Sequence, residues 1–303
     1  MMGWRTLFIS EPCKLKLADN NLILTQQKDN MPISIPLSDI DTIVLESLQS
    51  SITSQLLSKI AEYKIAFVIC DNNFTPNGIL YHMGAHCRNT KVAKAQVLIS
   101  QEQKDFLWQQ ILRQKIINQA NTIKLKINDQ KAYLKLIEYA DNVLPGDKEF
   151  VEGYAAALYF SKLFPRLKRR RENLIDIRDS ALNYGYAILR SCISRSLTAT
   201  GLLPMFGIKH DSELNAFNLA DDMIEPFRSL VDCIVYDLFN GIEDFGDFLQ
   251  KEHKAVLLSI LNQKCSIENQ RKSVSAAIET MCESLKKAIL AGKNEIILPE
   301  ISE

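Results

Sequence analysis

The hydrophobic pattern of the chain changes near residue 90, and this change constrains the fold more than any other feature. Before it, short runs rich in β-branched and aromatic residues alternate with turn residues, which predicts strands. Asp19, Asn20 and Asn21 predict a hairpin turn between two of these runs, and one helix is predicted at 53–63. Beyond Lys91, hydrophobic residues recur at helical steps, which predicts helices at about 92–126, 129–142, 147–164, 175–200, 213–239, 244–262 and 269–291.

The two patterns together predict an α+β protein, in which a small β-rich N-terminal domain precedes a larger all-α C-terminal domain. The 303 residues are enough for two domains. Pro76, Asn77 and Gly78 interrupt regular structure, so we expect a joint after them. The predicted domains are residues 1–80 and 93–303, with a linker at 81–92.

Composition excludes several classes of protein. The formal net charge is zero, which argues against coating of nucleic acid through overall charge but allows a local basic surface. No apolar run reaches the ~18 residues of a membrane span, and the N-terminus lacks the pattern of a signal peptide, so a cytoplasmic protein is expected. The seven cysteines are scattered without a C-x-x-C pair, which predicts neither a disulfide framework nor a zinc site.

A candidate metal site lies in the stretch 209–232. His210 precedes a helical pattern in which Asp222 and Glu225 are three residues apart, and this spacing places both carboxylates on one helix face. Carboxylate oxygens suit Mg²⁺ or Mn²⁺, and a histidine nitrogen shifts the preference towards Mn²⁺. Taken alone, the same residues also fit a solvent-exposed helix face.

A third acid, Glu152, opens the apolar helical segment 151–164. It is a candidate ligand, although an acid at this position also complements the helix dipole. Gly153 and the nearby alanines are expected to allow close approach of another helix.

A dense basic run follows that segment. Such a run predicts contact with phosphates, and an exposed charged loop is the alternative. The residues concerned are Arg166, Lys168, Arg169, Arg170, Arg171 and Arg178.

These segments occur in a particular order along the chain. An E-G-x-A-A helix, a basic connector, an L-N-Y-G-Y helix, a G-x-x-H loop and a D-x-x-E-P-F-R helix follow one another. In this order they resemble the CRISPR-associated integrase family, adaptation protein one. The start of the chain, GWRT followed by KLKLADNNLIL, is similar to the form found in type II CRISPR systems. The resemblance covers essentially the whole chain.

The resemblance implies a set of site residues. Glu152, His210 and Glu225 take the places of the family's catalytic metal ligands, which bind Mg²⁺ or Mn²⁺. Asp222 takes the place of a supporting acid. Asp179 stands where many relatives have asparagine, so a polar contact made by that asparagine is not carried over.

The resemblance also implies a reaction and partners. Family members join the 3′-hydroxyl ends of prespacer DNA to the CRISPR repeat by metal-dependent transesterification. The basic run is then expected to hold the DNA backbone. Family members form homodimers, two of which flank a dimer of CRISPR-associated protein two. The effector nuclease complex of type II systems is a further partner that the resemblance allows, and the β-rich domain is expected to mediate dimerisation.

Three alternatives remain open at this point. The same site in a metal-dependent nuclease of branched DNA would direct water instead of a 3′-hydroxyl, and would yield shortened fragments instead of joined strands. A DNA-binding scaffold with an inactive site would bind DNA without either product. An all-α module that binds RNA or protein would carry the acids as surface charges, and mutation of Glu152 would then leave activity unchanged.

Overall fold

A computed structural model of the chain describes residues 5–26, 31–72, 76–80, 89–165, 176–242 and 248–301. The chain divides into two compact units, Met1–Asn89 and Thr90–Glu303. The first is built from strands and one helix, and the second is mainly helical, as the sequence predicted. The predicted linker at 81–92 falls largely outside the described residues.

The first unit contains two four-stranded sheets. One has the order β1-β5-β7-β8 and the other β4-β3-β2-β6. In the first sheet β1, β5 and β7 run parallel and β8 is antiparallel; in the second, β2, β3 and β4 form an antiparallel meander. The bounds are β1 Arg5–Ile9, β2 Cys13–Ala18, β3 Asn21–Gln26, β4 Pro32–Pro36, β5 Ile40–Leu45, β6 Ser51–Ile52, β7 Ala66–Cys70 and β8 Pro76–Leu80.

Local sequence signals explain much of this unit. Asp19 and Asn20 have φ of 47° and 58°, the left-handed values of a two-residue hairpin turn between β2 and β3. The predicted helix is present as α1, Ser54–Glu62, and Thr53 caps it by accepting a hydrogen bond from the Leu56 amide. Buried side chains of the strands pack with those of α1 to form the core.

The expected interruption of regular structure at residues 76–78 is absent, and the two units divide further along the chain, after Asn89. These residues begin β8, which pairs antiparallel with β7. Because β8 is the last strand of its sheet, the missing amide of a proline leaves no neighbouring strand unpaired.

The second unit is organised around two long helices, α3 and α6. α3 is largely buried and contacts α4, α5, α7 and α8, while α6 packs against α7, α8, α9 and α10. The helices are α2 Asn89–Val97, α3 Gln101–Lys126, α4 Gln130–Asp141, α5 Val151–Leu163, α6 Ile177–Thr200, α7 Asn218–Met223, α8 Arg228–Phe239, α9 Lys251–Leu258 and α10 Val274–Ala291.

Four predicted helices differ from the structure. The first, predicted at 92–126, is divided at Ser100, whose hydroxyl caps α3. The helix predicted at 244–262 is present as α9, Lys251–Leu258, followed by a 3-10 turn at Ser259–Asn262. The segment predicted at 213–239 forms α7, a 3-10 turn at Glu225–Phe227 and α8, because Pro226 lacks an amide and restricts the residue before it. The helix predicted from 269 starts at Val274, after the hairpin β9 Lys264–Ile267 and β10 Gln270–Ser273. The helical unit therefore includes one small β-hairpin.

Two glycines in this unit have opposite packing environments. A Cβ at Gly185 on α6 would lie 2.5 Å from Val231 Cγ1 on α8, so glycine is needed for the close approach of these helices. At Gly153 no heavy atom of another described element lies within 4 Å of such a Cβ. The predicted close packing at Gly153 is therefore wrong.

We expect Gly185→Ala to destabilise the protein by about 1–3 kcal/mol, because Val231 is fully buried and has no room to move. Gly153→Ala is the matched control. It should leave stability unchanged or raise it by up to about 1 kcal/mol, because alanine favours a helix interior. Urea unfolding measures both. Equal destabilisation by the two variants would contradict the assigned packing.

Cys13, Cys70, Cys192, Cys265 and Cys282 are buried. Within the described ranges, no helix combines the length and apolar character needed to cross a membrane.

Candidate metal centre

Glu152 is fixed by the turn that starts α5. Asp147 is buried, and its carboxylate accepts hydrogen bonds from the Val151 amide at 2.9 Å and the Glu152 amide at 3.3 Å. Phe150 turns the chain into the helix with a left-handed φ of 54°. A carboxylate that caps the first amides holds the start of the helix, and with it the position of Glu152.

Lys115 on α3 joins the two candidate glutamate ligands. Its Nζ lies 2.6 Å from Glu152 Oε1 and 2.6 Å from Glu225 Oε2. The contact with Glu152 also has hydrogen-bond geometry, whereas the contact with Glu225 is close in distance alone. The side chains of Lys115 and Glu225 are only 10% and 6% exposed, against 36% for Glu152. One buried ammonium therefore lies between two carboxylates, one of which faces solvent.

Glu225 is held at the break between α7 and α8. Its Oε1 accepts a hydrogen bond from Arg228 Nε at 2.9 Å, and the Arg228 guanidinium lies over the Tyr186 ring. Asn118 on α3 donates from Nδ2 to the Pro226 carbonyl at 2.7 Å and to the Pro299 carbonyl at 3.0 Å. Asn118 Oδ1 also accepts from the Ile301 amide at 3.1 Å. The backbone after Glu225 is thus tied both to α3 and to the segment after α10.

The opposite charges in this cluster stabilise the ionised forms of Glu225 and Lys115. Burial raises the pKa of the Glu225 carboxyl, but the charges of Lys115 and Arg228 outweigh burial and lower the pKa to about 2. Burial lowers the pKa of the Lys115 ammonium, but Glu225 and Glu152 outweigh it and raise the pKa above its ordinary value. Glu225 and Lys115 are therefore both charged at neutral pH.

A pH dependence of stability follows from Glu225. Its folded-state pKa of about 2 lies below the ordinary 4.5, so its contribution is present above pH 4.5 and is lost as the pH falls through about 2. Between pH 4.5 and about 2, the free energy of unfolding of the metal-free wild type should fall by about 3 kcal/mol relative to that of Glu225→Gln. Denaturant unfolding at several pH values measures the difference. Glu213→Gln at an exposed site should show no such change.

Asp222 organises the loop that carries His210. Its carboxylate is fully buried and accepts four hydrogen bonds: from the amides of Ile208, Lys209 and His210, and from the His210 ring. The ring bond joins His210 Nδ1 to Asp222 Oδ1 at 2.7 Å. With its oxygens engaged in this way, Asp222 orients the histidine and has little capacity left for direct coordination of an ion.

The His210 ring has a further contact with Trp108, and the neighbouring Lys209 ties the loop to the turn before α5. Trp108 on α3 makes an edge contact with it at 6.2 Å between ring centroids, and Lys209 Nζ reaches the Gly146 carbonyl at 3.1 Å, next to the turn before α5. The hydrogen bond to Asp222 raises the pKa of the His210 imidazole. When Nδ1 donates to Asp222, the neutral tautomer leaves the Nε2 lone pair available for an ion.

The structure brings the predicted ligands together in two pairs. Glu152 and Glu225 meet through Lys115, and His210 meets Asp222. Asp222 and Glu225 belong to different elements, since the helix predicted to present both is broken at Pro226. In the part of the chain that is described, no group of three or more His, Cys, Asp or Glu side chains is gathered closely enough to hold a metal ion by itself.

Only one of the predicted DNA-binding residues lies in the described structure. The Arg178 guanidinium forms two hydrogen bonds with the Asp176 carboxylate, at 3.0 Å and 2.7 Å, and the side chain is 17% exposed. This pairing leaves little of its guanidinium for a phosphate. The other five residues, at 166 and 168–171, lie outside the described ranges.

Three residues of the site were missed from the sequence. Lys115, Trp108 and Asn118 all lie on α3, far from the acidic segments along the chain. One signal was present for Lys115, since it interrupts the apolar face formed by Ile111, Leu112 and Ile116, where a charge needs a partner. Which partner it finds depends on how the helices pack.

The residues present fit a hard divalent cation. Two carboxylates converge on the single positive charge of Lys115, and Glu225 Oε2 receives no directed hydrogen bond from the described residues. A histidine oriented by a carboxylate lies on the loop beside the start of α5. Such oxygen donors with one imidazole nitrogen suit Mg²⁺ or Mn²⁺.

The fold and the site together describe a two-unit protein, in which a β-rich unit is followed by a helical unit that carries a candidate metal centre of acids and a histidine. A sequence model described as CRISPR associated protein Cas1 matches residues 7–272. The chain is 39% identical over 304 residues to the CRISPR-associated endonuclease Cas1 of Neisseria meningitidis serogroup C, covering 99% of this chain and 97% of that protein. The chain belongs to the Cas1 family.

Solved structures show the same fold at lower identity. A casposase bound to an integration product matches with a TM-score of 0.75 and 19% identity, over 96% of this chain and 92% of that one. A chain of a Cas6-RT-Cas1–Cas2 complex matches with a TM-score of 0.75 and 20% identity. The match covers 97% of this chain but 36% of that longer chain.

Proposed function

We propose that this protein is a divalent-metal-dependent DNA integrase of CRISPR adaptation, which joins prespacer 3′-hydroxyl ends to the repeat. The observation that carries the proposal is the convergence of Glu152 and Glu225 on one cation in a Cas1-family chain. The similarity to a Neisseria Cas1 over nearly its full length supports the type II form.

The reaction is an exchange of phosphodiesters. The prespacer 3′-oxygen forms a new bond to a repeat phosphorus, the existing bond to the repeat 3′-oxygen breaks, and the proton of the attacking hydroxyl passes through solvent to the leaving oxygen. The number of phosphodiesters is unchanged. A bound Mg²⁺ or Mn²⁺ ion supplies charge stabilisation at the phosphate and lowers the pKa of the attacking hydroxyl.

Each residue of the chain has a separate part in this scheme. Glu152 and Glu225 bind the ion through carboxylate oxygens, and Arg228 holds the other oxygen of Glu225. His210 binds through Nε2 because Asp222 fixes Nδ1. These contacts set the geometry before DNA arrives, which is how preorganised charge lowers the barrier of phosphoryl transfer.

The basic run is the proposed site for the DNA backbone. Arg166 and residues 168–171 supply up to five positive charges in sequence, and such charges contact phosphates without reading bases. Arg178 is paired with Asp176, so we assign it to the start of α6. Replacement of the five basic residues by glutamine should weaken DNA binding and reduce its dependence on salt.

The proposal includes partners and domain roles. We assign residues 1–80 to homodimerisation and residues 93–303 to catalysis and DNA binding, in a cytoplasmic complex. The similarity to chains from Cas1–Cas2 complexes supports a small Cas2-type partner, and the casposase structure with its integration product supports DNA. The type II effector nuclease complex is a further proposed partner.

A metal-dependent nuclease of branched DNA is the second candidate. The Neisseria relative is named an endonuclease, and the same carboxylates suit activation of water as well as of a hydroxyl. The products separate the two reactions, since hydrolysis shortens strands and leaves none joined.

A strand-transfer assay tests the proposed function. The protein, with and without the Cas2-type partner, is incubated with a labelled duplex bearing free 3′-hydroxyls and a supercoiled plasmid carrying a repeat. Reactions contain Mn²⁺, Mg²⁺ or chelator. We expect metal-dependent joined product. Shortened fragments alone would favour the nuclease, and DNA binding without any product in every metal would overturn the integrase proposal.

A further inference from the structure

The position between Glu152 and Glu225 is already filled by a cation of the protein itself. Lys115 Nζ is 2.6 Å from an oxygen of each carboxylate. A divalent ion bound to the same two oxygens at ~2.1 Å would lie between them as well. The ammonium and the ion therefore compete for one position.

We propose that Lys115 is a positioning residue that holds Glu152 and Glu225 together in the metal-free protein and is displaced from between them when the divalent ion binds. The inference rests on the proposed metal site and adds to it a residue that the sequence motifs do not include. Lys115 would thus keep the two carboxylates in place before the ion binds, but because it competes with the ion it would also lower the affinity for the metal.

The surroundings of Lys115 suit this role. Two carboxylates this close, one of them 6% exposed, repel each other without a positive charge between them. Lysine is a compact charge on a flexible four-carbon chain, so it can leave without movement of the backbone.

Glu225 keeps its position when Lys115 leaves. Arg228 binds its other oxygen, and Asn118 holds the carbonyl of the next residue. The Glu152 side chain is 36% exposed, which gives an ion a route to the site from solvent. The Asp147 cap keeps the start of α5 in place throughout.

Mn²⁺ affinity of the full-length protein, measured by calorimetry, tests the inference. Lys115→Met and Lys115→Gln remove the competing charge, so each should bind Mn²⁺ roughly 10-fold tighter than wild type. Without metal, each should melt roughly 6 °C or more below wild type, and saturating Mn²⁺ should narrow the gap. Lys124→Met removes an exposed charge from the same helix and should change neither quantity. Equal or weaker Mn²⁺ binding by the Lys115 variants would overturn the inference.

Two further measurements separate the possible failures. If Glu152→Gln leaves Mn²⁺ binding unchanged, the proposed metal site itself is wrong, and the inference falls with it. Acylation of wild-type lysines, followed by mass spectrometry, tests displacement without any substitution. Mn²⁺ should raise the labelling of Lys115 relative to Lys124, and unchanged labelling at saturating Mn²⁺ would contradict displacement.

Discussion

Glu152→Gln should abolish metal-dependent strand transfer, with a loss of at least ~100-fold in rate. Removal of a residue that only supports a metal ligand costs up to about 100-fold in activity, so removal of the ligand itself should cost at least as much. The amide keeps the size of the side chain but removes the charge that binds the ion. Gel analysis of joined product in Mn²⁺ and Mg²⁺ measures the loss. Mn²⁺ affinity, measured on the same sample, should fall in parallel.

Glu149→Gln is the matched control for this variant. Glu149 is exposed and lies three residues before Glu152, outside α5. It should retain wild-type activity and metal affinity. A similar loss in both variants would show that the effect comes from general charge near the DNA and not from Glu152 itself.

Gly207→Ala should destabilise the protein by about 3 kcal/mol, at the upper end for overpacking. A Cβ at this position would lie 2.1 Å from the His210 carbonyl oxygen and 2.9 Å from Asp222 Oδ2. A backbone oxygen cannot rotate away as a side-chain end can, so the loop that positions His210 has to shift. Mn²⁺ affinity should therefore also fall, by about 10–100-fold, as when a supporting contact of a ligand is removed.

Thermal unfolding and calorimetry measure the two effects of Gly207→Ala. Gly153→Ala serves as the comparison, because it adds the same methyl group at an open position beside Glu152. It should keep or slightly raise the stability of the wild type and leave metal affinity unchanged. Normal Mn²⁺ binding by Gly207→Ala would contradict the role assigned to this loop.

The sequence was a good guide to elements whose cause is local. The hairpin turn at Asp19 and Asn20 and the helices predicted at 53–63 and 175–200 each depend on neighbours within a few residues. The division into a β-rich unit and a helical unit follows from periodicity in the same way. Residue type and spacing singled out Glu152, His210 and Glu225 as candidates, and the family resemblance gave them the places of metal ligands, which remain proposed.

Contacts between distant segments could not be predicted in this way. Lys115 and Glu225 are far apart along the chain, and Asn118 is bonded to Pro299 across 181 residues. The break at Pro226 was visible in the sequence, but the periodicity on both sides outweighed it in the prediction. The same periodicity hid the hairpin before α10, whose turn at Glu268 and Asn269 is left-handed.

The hydrogen bonds of Asn118 have a consequence for the timing of folding during synthesis. Its side chain on α3 binds Pro299 and Ile301, which the ribosome adds about 180 residues later. Until then, the amide that steadies the backbone beside Glu225 lacks two of its partners. A nascent chain that ended before these residues would therefore contain all the candidate ligands but lack two of the hydrogen bonds that hold Asn118 in place. The candidate centre would then reach its final geometry only when synthesis is almost complete.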